Sequence, residues 1–217
     1  MKYIWINPVV MQMYEAEGIN LHKKLEQLGY QPLTGESAII GHVKKQFVAA
    51  VKEGKGIVLD PRCPLAISTI EESCGTDSFY VPDIYPILIQ TAYDLYERFV
   101  AEDESSTLEI MCPCKELSEL GNDLSTKWNK PRVTFYAWND WVKESTLYNA
   151  KPIGSTPIPL GFFEGLDIKV KSLTGEETVI EEVEKYKNCK GTQKDKRVEL
   201  IEMLYCKGGC HNGNGVV

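Results

Sequence analysis

Apolar residues recur along this chain at two periods, and the switches between them mark its elements. The first run, KYIWIN, is short and β-rich. INLHKKLEQLGY then places Ile19, Leu21, Leu25 and Leu28 near one helical face, with Gly29 where a helix stops. YQPLT reads as a second strand. SAIIGHVKKQFVAAVKEGK carries Ile39, Val43, Phe47 and Val51 at four-residue spacing and ends at Gly54. GIVLD follows as a strand of the fully buried kind, leading into Pro61, Arg62, Cys63 and Pro64. This β-α-β-α-β order predicts a parallel sheet joined by right-handed crossovers.

A second set repeats the alternation. YPILIQTAYDLYERFVAE begins with proline near a helix entry and lines up Leu88, Ala92, Leu95 and Phe99. TLEIM is a strand that runs straight into Cys112, Pro113 and Cys114. RVTFYAW is another, with Asn139 and Asp140 behind it as the expected helix cap. KPIGSTPIPLGFFEG, rich in proline and glycine, reads as an ordered loop, and ETVIEEVEKYKN as a short amphipathic helix. VELIEMLY is a last strand that ends at Cys206. The expected fold class is α/β. A single unit over residues 1–217 is built from two small parallel-sheet lobes, 1–75 and 76–217, with helices outside.

Charge narrows the partners. The chain has 24 Lys and Arg against 31 Asp and Glu, a net −7, and its lysines are scattered among glutamates. That balance argues against nucleic acid and against an anionic membrane surface. No apolar stretch reaches the about 18 residues a membrane span needs. The amino-terminal MKYIWINPVVMQMYEAEG, broken at Asn7-Pro8, lacks the form of a signal peptide. A reducing cytoplasm is the expected location, and there seven cysteines point to metal binding or redox work rather than disulfides.

Their placement carries the chemistry. Cys63, the Cys112/Cys114 pair and the Cys206/Cys210 pair each follow a predicted strand. Ligands of open parallel sheets bind beyond the carboxyl ends of the strands, so these thiols are expected to converge on one rim. Gly208, Gly209, Gly213 and Gly215 would let backbone approach a cluster closely. Zinc accepts four thiolates, but ribbons use paired C-x-x-C knuckles and this chain has none. Thiols from separate strand ends suit an iron–sulfur cube, set in the crevice between the lobes. Cys74 and Cys189, standing alone, read as ordinary small buried side chains.

DPRCP (Asp60–Pro64), CPCKEL (Cys112–Leu117) and EMLYCKGGCHNGNG (Glu202–Gly215) resemble, in order and spacing, the three cysteine motifs of the catalytic domain of iron-iron hydrogenases. Those motifs are T-S-C-C-P, M-P-C-x-x-K and E-x-M-x-C-x-G-G-C. INPVV and the helix before CPCKEL extend the likeness over nearly the whole chain, without ferredoxin-like amino-terminal modules. The resemblance implies a 4Fe–4S cube on Cys63, Cys114, Cys206 and Cys210, with Cys210 in the place that bridges to a two-iron subsite.

The other half of the family's site is replaced here. Arg62 stands where the proton-transferring thiol precedes the first ligand, and guanidinium keeps its proton. Leu117 replaces a lysine, with Lys115 at a different offset, and Cys112 and Leu204 replace methionines. The expected function is therefore an iron–sulfur protein, hydrogenase-like in its cube, for electron transfer or redox sensing with a separate electron-transfer protein. The alternatives are a minimal hydrogenase that keeps a two-iron subcluster, with His211, Cys112 or Arg62 as catalytic candidates, and an interaction module stapled by zinc. Cys112 reads as fifth ligand, redox thiol or passive neighbour. Arg62 either compensates cluster charge or faces solvent, and Glu202 is a family-matched position or a sheet-edge carboxylate.

Overall fold

A computed structural model describes residues 1–35, 37–155, 158, 160–188 and 198–217. The chain is α/β, with two small all-parallel sheets flanked by helices. It forms two compact units. The first comprises Met1–Glu36, Leu88–Ile158 and Cys210–Val217, and the second Ser37–Ile87 and Pro159–Gly209. These are not sequential lobes. Each sheet takes strands from both sides of residue 75, so a division into 1–75 and 76–217 would cut both.

The sheet of the first unit runs in the order β2-β1-β4-β5, from β1 (Lys2–Ile6), β2 (Gln31–Leu33), β4 (Thr107–Cys112) and β5 (Val133–Ala137). Strand alternation sorts its residues. Ile4, Ile6 and Met111 face a core built with α1 (Pro8–Ala16), α2 (Leu21–Gln27) and α7 (Trp138–Glu144). On the opposite face, Tyr3 meets Phe99 of α5 (Ile87–Phe99) with ring centroids 5.5 Å apart. Asn7 starts α1, its Oδ1 accepting from Val10 N at 3.1 Å while its Nδ2 donates to Met111 O at 2.9 Å. One side chain thus fixes a helix start and ties it to β4.

β5 is an edge strand, which leaves backbone groups without a ladder partner. Asn122 of α6 (Lys115–Lys127) satisfies two of them, donating to Phe135 O and accepting from Phe135 N, both at 2.9 Å. Gly121 makes that close packing possible, because a Cβ there would lie 2.4 Å from the Phe135 ring.

The second unit has the sheet order β3-β7-β6, from β3 (Val58–Leu59), β6 (Val170–Thr174) and β7 (Leu200–Leu204). Leu59, Ile201, Met203 and Leu173 face α4 (Pro64–Ser73) and α8 (Glu176–Asn188). Val58 and Leu200 face α3 (Ser37–Lys52) together with Phe163. GIVLD therefore leaves the sheet of KYIWIN and YQPLT to pair with the last strand, and the expected single β-α-β-α-β sheet is split in two. The loop before β6 brings Phe163 into this core, while residues 156, 157 and 159 of the expected ordered loop lie outside the described residues.

Three more helices and a strand arise where the hydrophobic pattern gave no clear period: α1, α4, α6 and β6. The expected cap at Asn139-Asp140 is also displaced. Ala137 is the N-cap of α7, and both residues lie inside its first turn. Among the described residues no helix is long and apolar enough to cross a membrane.

Gly121→Ala is expected to overpack the α6–β5 contact and destabilise the first unit by about 1–3 kcal/mol. Chemical denaturation followed by circular dichroism would register this as a lower midpoint, and an unchanged midpoint would show that Phe135 can move aside.

Candidate metal centre

The chemistry-bearing residues follow the sheets outward. In a parallel sheet all strands leave by the same edge, and β3 and β7 are adjacent. Cys63 and Cys206 therefore both follow the carboxyl ends of neighbouring strands in the second unit. Cys63 is the N-cap of α4, with Pro64 at the first helical position where a missing N–H costs nothing. Burial raises its thiol above the ordinary value, and neighbouring backbone N–H groups offset that only in part. Cys206 then enters a turn closed by Gly209 N donating to Cys206 O at 3.0 Å, with Gly208 and Gly209 at φ of 79° and 120°.

The first unit holds the other pair. Cys114 is the N-cap of α6, just beyond β4. The carboxyl-terminal tail lies flush along the same segment. Gly215 N donates to Pro113 O at 3.1 Å, and Lys115 N donates to Asn214 Oδ1 at 2.8 Å. A Cβ on Gly213 would come within 2.4 Å of Pro113 O, and one on Gly215 within 2.9 Å of Cys114 N. Neither glycine has a positive φ, so close approach, not backbone conformation, is what requires them. Asn139 completes the latch, its N–H donating to Gly215 O at 2.8 Å and its Nδ2 to Val217 O at 2.9 Å. Cys210 begins a short 3-10 turn, Cys210–Asn212, and packs against the core of this unit.

The remaining candidates separate. Cys112 closes β4, fully buried, and burial raises its thiol well above the ordinary value. Its Sγ makes a long contact of 3.9 Å to Ile110 O. His211 is buried, and its Nδ1 has no hydrogen-bond partner. Cys74 sits at the C-cap of α4 against apolar neighbours, and its carbonyl accepts from Lys187 Nζ. Cys189 lies outside the described residues.

Arg62 does not face solvent. Its side chain is only 11% exposed and forms a double hydrogen bond to Asp60, Nε to Oδ1 at 2.9 Å and Nη2 to Oδ2 at 2.6 Å. Glu202 Oε1 takes a further contact at 3.3 Å. The guanidinium also lies 3.8 Å from the Phe162 ring centroid and 4.7 Å from that of Phe163, cation–π distances. Burial pushes the Asp60 carboxyl up, and Arg62 opposes that shift. For Arg62 burial works against the charge, but the two carboxylates outweigh it and hold the proton more tightly.

Glu202 is not a sheet-edge carboxylate. It sits on the central strand β7 in core-facing register, and it accepts from Ser172 Oγ at 2.6 Å, Gly161 N at 3.0 Å and Phe162 N at 3.1 Å. Alternation in VELIEMLY already carried the signal, since Glu202 falls in phase with the buried Leu200.

None of the six described cysteines is in a disulfide. Among the described residues, however, no three His, Cys, Asp or Glu side chains stand together as a metal-holding group.

Arg62→Met is expected to cost about 3–5 kcal/mol, since it leaves two buried carboxylates without their cation. The triple change Asp60→Asn, Arg62→Met, Glu202→Gln should recover much of that loss. Urea midpoints would measure both, and a neutral Arg62→Met would contradict the buried ion set.

No protein-family model matches this chain, and no curated protein matches it.

Proposed function

We propose that this chain is an iron–sulfur protein, related to the catalytic domain of iron-iron hydrogenases, that binds one 4Fe–4S cube through Cys63, Cys114, Cys206 and Cys210. When bound, such a cube supplies one-electron oxidation and reduction. The proposal is carried by the parallel pairing of β3 with β7, which sets Cys63 and Cys206 just beyond the carboxyl ends of adjacent strands, where ligands of parallel sheets bind. The terminal glycines add support, because they lay the Cys210 segment against the Cys114 backbone with no side chain between.

The chain's residues favour electron transfer or redox sensing over dihydrogen chemistry. The residue before Cys63 is an arginine locked into a buried ion set, which holds its proton and anchors β3 to β7. Cys112 is held as a neutral thiol by burial. These residues do not fit a two-iron subsite, and no step is assigned to one. A cube that only passes electrons needs no protein acid or base. A separate electron-transfer protein would be its partner.

Protein purified without oxygen is expected to be brown and to carry roughly four irons per chain. Cys63→Ser, Cys114→Ser and Cys206→Ser should each lose the iron and the visible absorbance while keeping the far-ultraviolet dichroism of the fold. Cys74→Ser should keep both. Colourless protein with one zinc per chain would refute the cube, and full iron in Cys114→Ser would refute that ligand.

A further inference from the structure

Each sheet carries a glutamate on a face that packs against a core, and the two are treated differently. Glu202 has its cation in Arg62. In the first unit, Glu109 lies on the internal strand β4, opposite Ile4 of β1 and Thr134 of β5. It shares the apolar face of Met111 and Tyr136. Its Oε2 accepts from Trp141 Nε1 at 2.7 Å and its Oε1 from Tyr30 OH at 3.3 Å. Both donors are neutral. No Lys, Arg or His among the described residues pairs with it. A carboxylate held by dipoles and by no bonded cation keeps a negative field around it.

That field opens into a cleft of about 360 Å³. Tyr30, Tyr136 and Trp141 line it, with Glu109 and the exposed Glu144. The Tyr30 and Trp141 rings stand 5.8 Å apart at 66°, so they present two walls at a steep angle. Burial and the neighbouring Glu109 charge push the Tyr30 hydroxyl up to about 12, so this wall stays neutral. Tyr136 is raised by the same two causes. Lys2 Nζ already lies 6.0 Å from the Tyr30 ring centroid, a cation drawn to an aromatic face.

Aromatic faces dominate this lining, and its two carboxylates, one of them exposed, fall short of the several oxygen ligands a hard metal ion wants. They suit a diffuse organic cation, whose charge is attracted by ring faces and whose alkyl groups need no hydrogen-bond partners. We infer that the cleft formed by Tyr30, Glu109, Tyr136 and Trp141 is a binding site for an alkylated ammonium group, the ligand supplying the counter-charge that Glu109 lacks. The site involves none of the cysteines and stands or falls apart from the cube.

Titration of the unmodified chain with tetramethylammonium, followed by the indole N–H resonance of Trp141, tests this. The signal is the one lost in Trp141→Phe. Saturable shifts are expected, with binding about tenfold or more tighter than for the neutral isostere 2,2-dimethylpropanol. A peptide bearing trimethyl-lysine, titrated in parallel, distinguishes a free ion from a modified chain, the tighter of the two naming the source. Glu109→Gln should weaken ammonium binding by about tenfold and leave the isostere unchanged. Tyr136→Leu, which keeps the bulk and removes the ring, should weaken it several-fold and decides the case if Glu109→Gln does not fold. Equal binding of cation and isostere, or no saturable shift with either ammonium probe, would overturn the assignment.

Discussion

Parallel pairing is the constraint from which the rest of this structure follows. Parallel strands need crossovers, so helices cover the sheets and every strand in a sheet points the same way. Residues after β3 and β7 must then emerge at one edge, and Cys63 and Cys206 are such residues. Cys114 follows β4 in the same sense and, like Cys63, caps the helix that begins there. Strand-to-helix junctions leave amide N–H groups unpaired.

The two units handle buried charge in contrasting ways. In the second, Asp60, Arg62 and Glu202 form a closed set in which the carboxylates are paired with the cation and with backbone or hydroxyl donors. Removal of one member would leave the others in low dielectric, so the set enforces the pairing of β3 with β7. This explains why arginine is tolerated beside a candidate ligand. It belongs to the scaffold of the unit rather than to proton traffic. In the first unit Glu109 has only neutral donors, and its charge faces an aromatic cleft.

Periodicity made the fold class legible, along with long elements such as α3 and α5, because amphipathic faces leave a strong trace over several turns. It failed at α1, α4 and α6, where helices follow a strand so closely that Asn7-Pro8, Cys63-Pro64 and Cys114 read as loop punctuation. The exchange of β3 into the second sheet was also hidden. A two-residue strand has no pattern to name its partner, and the pairing depends on Glu202 and Arg62, 140 positions apart. At the site, the cysteines and the glycine-rich tail were legible as a motif. The burial of Arg62 was not, since nothing local distinguishes a solvated arginine from one capped by distant carboxylates. Glu202 breaks the alternation of VELIEMLY, but Glu109 does not, since Thr107 and Glu109 alternate regularly with Leu108 and Ile110 as in a strand with one solvated face.

The cube is tested most directly by iron X-ray absorption on anaerobically purified protein. The account predicts that each iron is surrounded by sulfur alone and has iron neighbours at the short separation of a cluster. Iron bound by nitrogen or oxygen without iron neighbours, or zinc in place of iron, would contradict it.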